Sequence, residues 1–268
     1  TVPTVETTGA NLDETAIRAI FAGDFAGTAD DLARLDAERI HIPEIRIDYE
    51  APAADGTPQR STIVYRDFEL LGVNDGVARS ASLGGGEVTA PTDAVFTFGP
   101  MSSGRLDIGG ILGFYGLGGR DAGTEIRPIY NDFVFGGFTV ASPEVNCEVG
   151  AARIAEFAAR PLQHSFQEMF ALAQELEAQE AAGETPSPEA VAGMVAFYID
   201  FITAFRSSPT EFDGFDCAGK DEDGNAVALR AGSMTLDGYE PGIYPAITLN
   251  DFRIEVLNDG WMEFDGFT

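Results

Sequence analysis

The residues whose types could do chemistry are few: two histidines, two cysteines, and acidic residues that recur in a pattern. His41 falls in a stretch of alternating polarity and His164 at the head of a helical block, so they belong to different elements. Neither stands in a recognisable His–carboxylate–Ser context, and no G-x-S-x-G elbow is present. No Cys/His cluster has zinc spacing. Asp221-x-Asp223-Gly-Asn225 opens like a calcium loop. It lacks the glycine and the glutamate that such a loop needs later on, so it reads as a hairpin turn. Carboxylate pairs could be drawn anywhere among 44 acidic residues, so none is singled out for acid–base work. The reading is non-enzymatic, with no catalytic residue, no cofactor and no metal ligand assigned. A hydrolase whose site the sequence does not display is kept as a third reading.

Cys147 and Cys217 flank a long helical block. A disulfide there would tie the ends of that block to neighbouring strands, and in the chain-entropy model it would stabilise by about 4 kcal/mol. Two free buried thiols are the alternative, because spacing alone does not set connectivity.

The aspartates form an internal repeat. IVYRDFELLGVNDG at 63–76 returns as ITLNDFRIEVLNDG at 247–260, and a weaker copy, IYNDFVFGGF, lies at 129–138. Asp67, Asp132 and Asp251 share one register. The alternation changes phase at each Asp-Phe: Ile247 and Leu249 lie on one face, Phe252, Ile254 and Val256 on the other. A β-bulge accounts for the switch and gives the aspartates a structural role. Three carboxylates lining a shared site is the functional alternative.

These residues must be positioned by two kinds of element. Residues 161–206 are the helical block. Ser187, Pro188 and Glu189 start a helix over 188–206. Its Val191, Met194, Val195, Tyr198, Ile202 and Phe205 recur at helical spacing, and a helix so apolar is expected to be buried on most sides. A first helix, 162–181, carries Phe166, Met169 and Phe170 on one stripe. The short link around Gly183 favours an antiparallel pair. Residues 151–159 read as a further short helix. Near the start, residues 1–10 read as an arm, 12–22 as a helix with Ile17, Ile20 and Phe21 inward, and Thr28 as the cap of another. From Ile40 the period becomes that of strands, joined by turns such as Asn74-Asp75-Gly76, which favour antiparallel pairing. DIGGILGFYGLGGRD at 107–121 matches no dinucleotide fingerprint. It reads as a buried strand, or as an exposed apolar loop that touches a partner.

Net charge is −28, and Lys220 is the only lysine. Such a surface repels nucleic acid, so no nucleic-acid partner is expected. The acids are spread along the chain, as suits solubility in a salty medium. The polar, Thr-rich start, the cysteine pair and the scarcity of lysine favour a periplasmic or secreted bacterial protein. The apolar part of 188–206 is short for a bilayer and carries Asp200.

The fold class expected is α+β: a curved, mainly antiparallel sheet of degenerate hairpin repeats with a helical hairpin packed on one face. Residues 1–39 form an arm with short helices. Residues 40–268 form one β domain with a helical insertion at 149–207. The leading function is a cell-envelope binding module that holds an apolar or lipid-like ligand between sheet and helices, lined by Phe166, Phe170, Phe197, Phe201 and Phe205. The alternative is a structural or assembly protein that self-associates through strand edges and the segment 108–119.

Overall fold

The computed structural model describes residues 4–12, 14–21, 25–52, 58–90, 94–118, 123–181, 183, 185–220, 224–256 and 260–267. The chain opens with β1 (Glu6–Thr8), α1 (Glu14–Phe21) and α2 (Phe25–Leu32), then two long strands, β2 (Ala37–Pro52) and β3 (Pro58–Asn74). Shorter strands follow end to end in rows. β4 (Val77–Leu83) runs into β5 (Gly85–Thr89), and β6 (Val95–Phe98) into β7 (Met101–Ser103) and β8 (Arg105–Asp107). After α3 (Ile108–Phe114), β9 (Arg127–Phe135) runs into β10 (Phe138–Ala141), and β11 (Val145–Val149) into β12 (Ala152–Ala159). Next come α4 (Phe166–Ala181) and α5 (Pro188–Thr203). The rows resume with β13 (Phe205–Ser207), β14 (Thr210–Phe212) and β15 (Phe215–Lys220), then β16 (Ala226–Ala231) and β17 (Ser233–Leu236). Two long strands, β18 (Ile247–Val256) and β19 (Gly260–Phe267), close the order.

All these strands belong to one sheet. Each row pairs antiparallel with the row before and the row after it: β3 with β4 and β5, β9 with β7 and β8, β12 with β9 and β14, β18 with β16 and β17. The result is an up-and-down meander, the arrangement that short turns between consecutive strands produce. The fold is therefore α+β and dominated by antiparallel sheet.

The long strands bend where the short rows break, and the bend has one geometry at three places. Asp67, Asp132 and Asp251 take left-handed backbone conformations, with φ of 52°, 50° and 52°. Opposite each is a glycine at the break of the neighbouring row. The glycine N–H donates to the carbonyl of the residue before the aspartate: Gly84 to Arg66 at 2.8 Å, Gly104 to Asn131 at 3.0 Å, and Gly232 to Asn250 at 3.0 Å. A β-carbon on Gly232 would stand 2.8 Å from the Asp251 carboxylate, so the glycine is required by close approach. No residue is inserted there: the pairing register runs unshifted through each aspartate, so the β-bulge expected from sequence is corrected, and the left-handed aspartate turns the strand in place. The three aspartates lie in different rows, and among the described residues no three His, Cys, Asp or Glu side chains are placed to hold a metal ion.

The bend divides the sheet. On one side, the helices pack: α3 lies against β4 and β9, and α2 against α3. The core there is built from Leu35, Ala37, Ile40, Leu70, Val73 and Ala78. On the other side, one residue from each row falls in register across the sheet. Ile47 is opposite Ile63, followed by Val88, Phe96, Val140, Cys147, Cys217, Leu229, Ile254 and Met262. None of these is buried. On the opposite face the neighbouring ladder is mostly polar, through Glu87, Thr97, Thr139, Glu148, Asp216 and Arg230, with the buried Val64 its member in β3. The disulfide joins Cys147 and Cys217 within the apolar ladder, across 70 residues of sequence.

Several expectations are corrected. Residues 152–159 are strand β12, not helix, so helix begins only at Phe166. Pairing on both sides, with β9 and with β14, overrides the alanine-rich composition. The N-terminal arm holds strand β1, paired with Thr8 opposite Arg39. Thr28 is inside α2 and does not cap it. Segment 108–114 is helix α3, neither strand nor loop. Asp107 caps it by accepting the Gly110 N–H at 2.9 Å. A β-carbon on Gly110 would come within 2.5 Å of Ile129, so the glycine lets this helix lie directly on the sheet. Asp221, Asp223, the turn residues 258 and 259, and the side chains of Ile17, Ile20 and Phe21 lie outside the described residues.

The bend makes a prediction. Asp251→Val forces a β-branched residue into left-handed backbone and should cost about 1–3 kcal/mol in urea unfolding. Asp251→Gly, which adopts that conformation freely, should cost clearly less.

Candidate apolar ligand site

Two places deserve comparison as binding sites: the helical block that carries the phenylalanines, and the space under the N-terminal segment.

The helical block is anchored by one buried ion pair. Asp200 of α5 accepts from Arg160 at 2.7 Å and from the backbone N–H groups of Gln163 and His164 at 2.6 and 3.1 Å. Arg160 also donates to Thr203 at 3.1 Å. Both charged side chains are nearly buried, at 12% and 6% exposure. Both carboxylate oxygens of Asp200 are thus hydrogen-bonded, the condition under which a buried charge is tolerated. Asp200 therefore faces inward, whereas Val191, Val195, Tyr198 and Ile199 are about half exposed. The expectation that α5 is buried on most sides is corrected: its inner face carries Ala190, Phe197, Asp200 and Phe201, and an apolar stripe faces outward.

Four of the five predicted phenylalanines meet. Phe166 packs on Phe197 at 5.3 Å, Phe197 on Phe201 at 6.1 Å and Phe201 on Phe205 at 5.3 Å. Phe205 stacks on Tyr239 at 4.2 Å. Phe114 and Phe157 extend the cluster onto α3 and the sheet. Phe205 belongs to strand β13, since the helix ends at its cap Ala204. Phe170 is 59% exposed and makes no ring contact among the described residues. The rings largely fill the space between themselves. Between α4 and α5 there remains a cleft of about 330 Å³ that His164, Glu168, Glu175 and Phe197 help to line, a mixed polar and apolar wall.

The second place is different in kind. A cavity of about 320 Å³ lies between β1, the bent part of β2 and β3, α2 and α3. Its walls are aliphatic: Ile40, Ile42 and Ile45 from β2, Leu70 from β3, Leu32 from α2 and Ile111 from α3. Among the described residues that line it, Thr7 alone has a polar side chain. Within the stretch 108–119, read from sequence as a buried strand or a contact loop, helix α3 turns Ile108, Ile111 and Leu112 into this cavity. A cavity of about 150 Å³ with such a lining stays dry and takes up an apolar molecule. This one also reaches the lower end of the usual range for ligand pockets, about 300–1,000 Å³. The wall exists because the strands turn at the left-handed Asp67 with Pro43 opposite, which leaves Phe68 and Leu70 of β3 and Ile42 and Ile45 of β2 on one inner face. Alternation alone would have put Ile42 and Ile45 on opposite faces, so the cavity was not legible from the pattern.

His41 Nδ1 is 3.0 Å from Glu6 on the polar face of the sheet, and that hydrogen bond lowers the Glu6 carboxyl below its ordinary value. His164 stands 3.9 Å from Glu168. Tyr130, stacked on Phe157 at 5.1 Å, has its hydroxyl pushed up to about 12 by burial. Among the described residues, no helix is long and apolar enough to cross a membrane. In comparisons with known proteins, no family model, no curated protein and no solved structure matches the chain.

Two outcomes are expected. Asp200→Ala strands Arg160 without its carboxylate and should lower stability by about 3–5 kcal/mol in chemical denaturation. The raised Tyr130 value means the fold favours the neutral phenol. Its contribution is complete below the ordinary tyrosine value of 10.0 and is lost as pH rises through about 12. In Tyr130→Phe that alkaline loss should disappear, measured by near-ultraviolet circular dichroism against pH.

Proposed function

We propose that the chain is a non-enzymatic binding module of an extracytoplasmic compartment that holds an apolar or lipid-like ligand between sheet and helices. The observation that carries the reading is the aliphatic cavity of about 320 Å³ beneath α2 and α3. Its lining offers no charge and almost no hydrogen-bonding group, so it suits a hydrocarbon moiety and gives nothing to a sugar, nucleotide or peptide backbone. The ligand seat is this cavity, and the phenylalanines of the helical block are packing. The disulfide supports a periplasmic or secreted setting, since such bonds persist where the medium is oxidising. The three matching Asp–Gly bends support a sheet assembled from a degenerate repeat, into which α4 and α5 were inserted.

A second reading, a structural protein that associates through its strand edges, is favoured by one specific feature. Among the described residues β19 pairs with β18 alone, and its Trp261, Met262 and Phe264 are 61%, 57% and 44% exposed. An edge strand so apolar is a template for pairing. Light scattering across a wide concentration range decides this: a monomer throughout removes it.

For the first reading, the delipidated protein should take up N-phenyl-1-naphthylamine with a rise in fluorescence. Ala10→Phe, which fills the cavity from its rim, should weaken uptake about tenfold or more while the far-ultraviolet spectrum is unchanged. Failure of the wild-type protein to take up the dye sinks the reading.

A further inference from the structure

The cavity does not end at the bend. Ile45 lines it, and Ile47, next on the same face of the same strand, begins the apolar ladder that crosses the bare half of the sheet. Nine steps between rows, each of about 4.8 Å, make that ladder roughly 43 Å long. It is bounded on the other face mostly by polar and charged side chains, and no residue along it is buried. We infer that the ligand is a long unbranched hydrocarbon chain on an uncharged head group, with one end in the cavity and the rest laid along the ladder from Ile47. The inference rests on the apolar-ligand reading above and names the class of ligand.

Two observations select this occupant. The first is continuity. The aliphatic wall passes from Ile40 through Ile42 and Ile45 to Ile47 with no charged side chain on that face, so cavity and ladder are one surface. A compact ligand would fill the cavity and leave the ladder in water, whereas a long chain covers both. The second is charge. The protein carries 44 acidic against 16 basic side chains, and most of its arginines are already matched to a carboxylate, as Arg46 is to Asp48 and Arg153 to Asp213. A carboxylate or phosphate head group would enter a strongly negative field, and a neutral one would not. The same field disfavours a second copy of this chain as the cover for the ladder, because it would bring the same net charge of −28.

The test is displacement of N-phenyl-1-naphthylamine by straight-chain alcohols of eight to sixteen carbons. Affinity should keep rising beyond the length that fills the cavity. Ile47→Asp and Val145→Asp change residues on the bare face that are already 44% and 40% exposed, so folding should tolerate them. Ile47→Asp should weaken the sixteen-carbon alcohol about tenfold and leave the eight-carbon alcohol within about twofold. Val145→Asp, farther along the face, should act in the same direction on the longest chains. Hexadecanoate at pH 8 should displace the dye about tenfold less well than hexadecanol. Equal affinities along the series, with neither variant discriminating, overturn the inference while leaving the cavity reading intact. Hexadecanoate binding as tightly as hexadecanol overturns the choice of head group. No uptake of dye and no displacement at any length removes the reading on which the inference stands.

Discussion

Everything in this protein depends on how a wide antiparallel sheet bends without abandoning its backbone hydrogen bonds. A buried N–H or carbonyl left unpaired costs as much as a lost hydrogen bond, so a fold must satisfy its breaks locally. Here a left-handed aspartate in one row meets a glycine at the break of the next, and the glycine N–H donates to the carbonyl just before the aspartate. The same solution recurs at Asp67, Asp132 and Asp251. The left-handed residue turns the strand without shifting its register, and apolar side chains stay on one face through the bend, as Ile42 and Ile45 do. That single consequence creates both the helix-covered core and the uncovered apolar ladder.

The helices answer the same surface on one side of the bend only. α3 can lie on the sheet because its glycines present no side chain there. α5 is held from within by Asp200 and Arg160, whose burial is acceptable because the carboxylate also receives two backbone N–H groups. An isolated buried ion pair is seldom a net source of stability. Its value here is in orientation: it turns Phe197 and Phe201 toward Phe166 and Phe205, and it leaves the outer stripe of Val191, Val195 and Ile199 exposed. Ring pairs of this kind contribute about 0.5–1.5 kcal/mol each beyond their burial.

The functional reading follows from where polar groups are missing. On the sheet, charged side chains are matched to one another across rows, as Arg153 is to Asp213, Arg230 to Asp216 and His41 to Glu6. The inner face offers almost nothing but hydrocarbon, with Thr7 and the disulfide as exceptions, first as a cavity and then as an open strip. A surface of that kind selects ligands by length and charge, since it has almost no donor or acceptor with which to read shape in finer detail.

By itself, the sequence determined the class of fold, the antiparallel pairing, the helical pair on either side of Gly183, and the coincidence of a phase change with each Asp-Phe. Those features are local: alternation, caps and turns are written within a few residues. The slip in period at each Asp-Phe was legible, but its cause was not: the sequence suggested a β-bulge, whereas the register is unbroken and a left-handed aspartate turns the strand. Tertiary structure decided the rest. Residues 152–159 became a strand because two partners flank them, and 108–114 became a helix because Asp107 caps it above Ile129. Apolar Val195 and Ile199 face outward while Asp200 is buried, because the fold provides an arginine and two free N–H groups at that one position. The cavity is the clearest case. Its walls come from β1, β2, β3, α2 and α3, and no local pattern states that these will close around empty space. Which face a residue takes is a matter of periodicity, but what stands opposite that face depends on contacts between residues far apart in the chain.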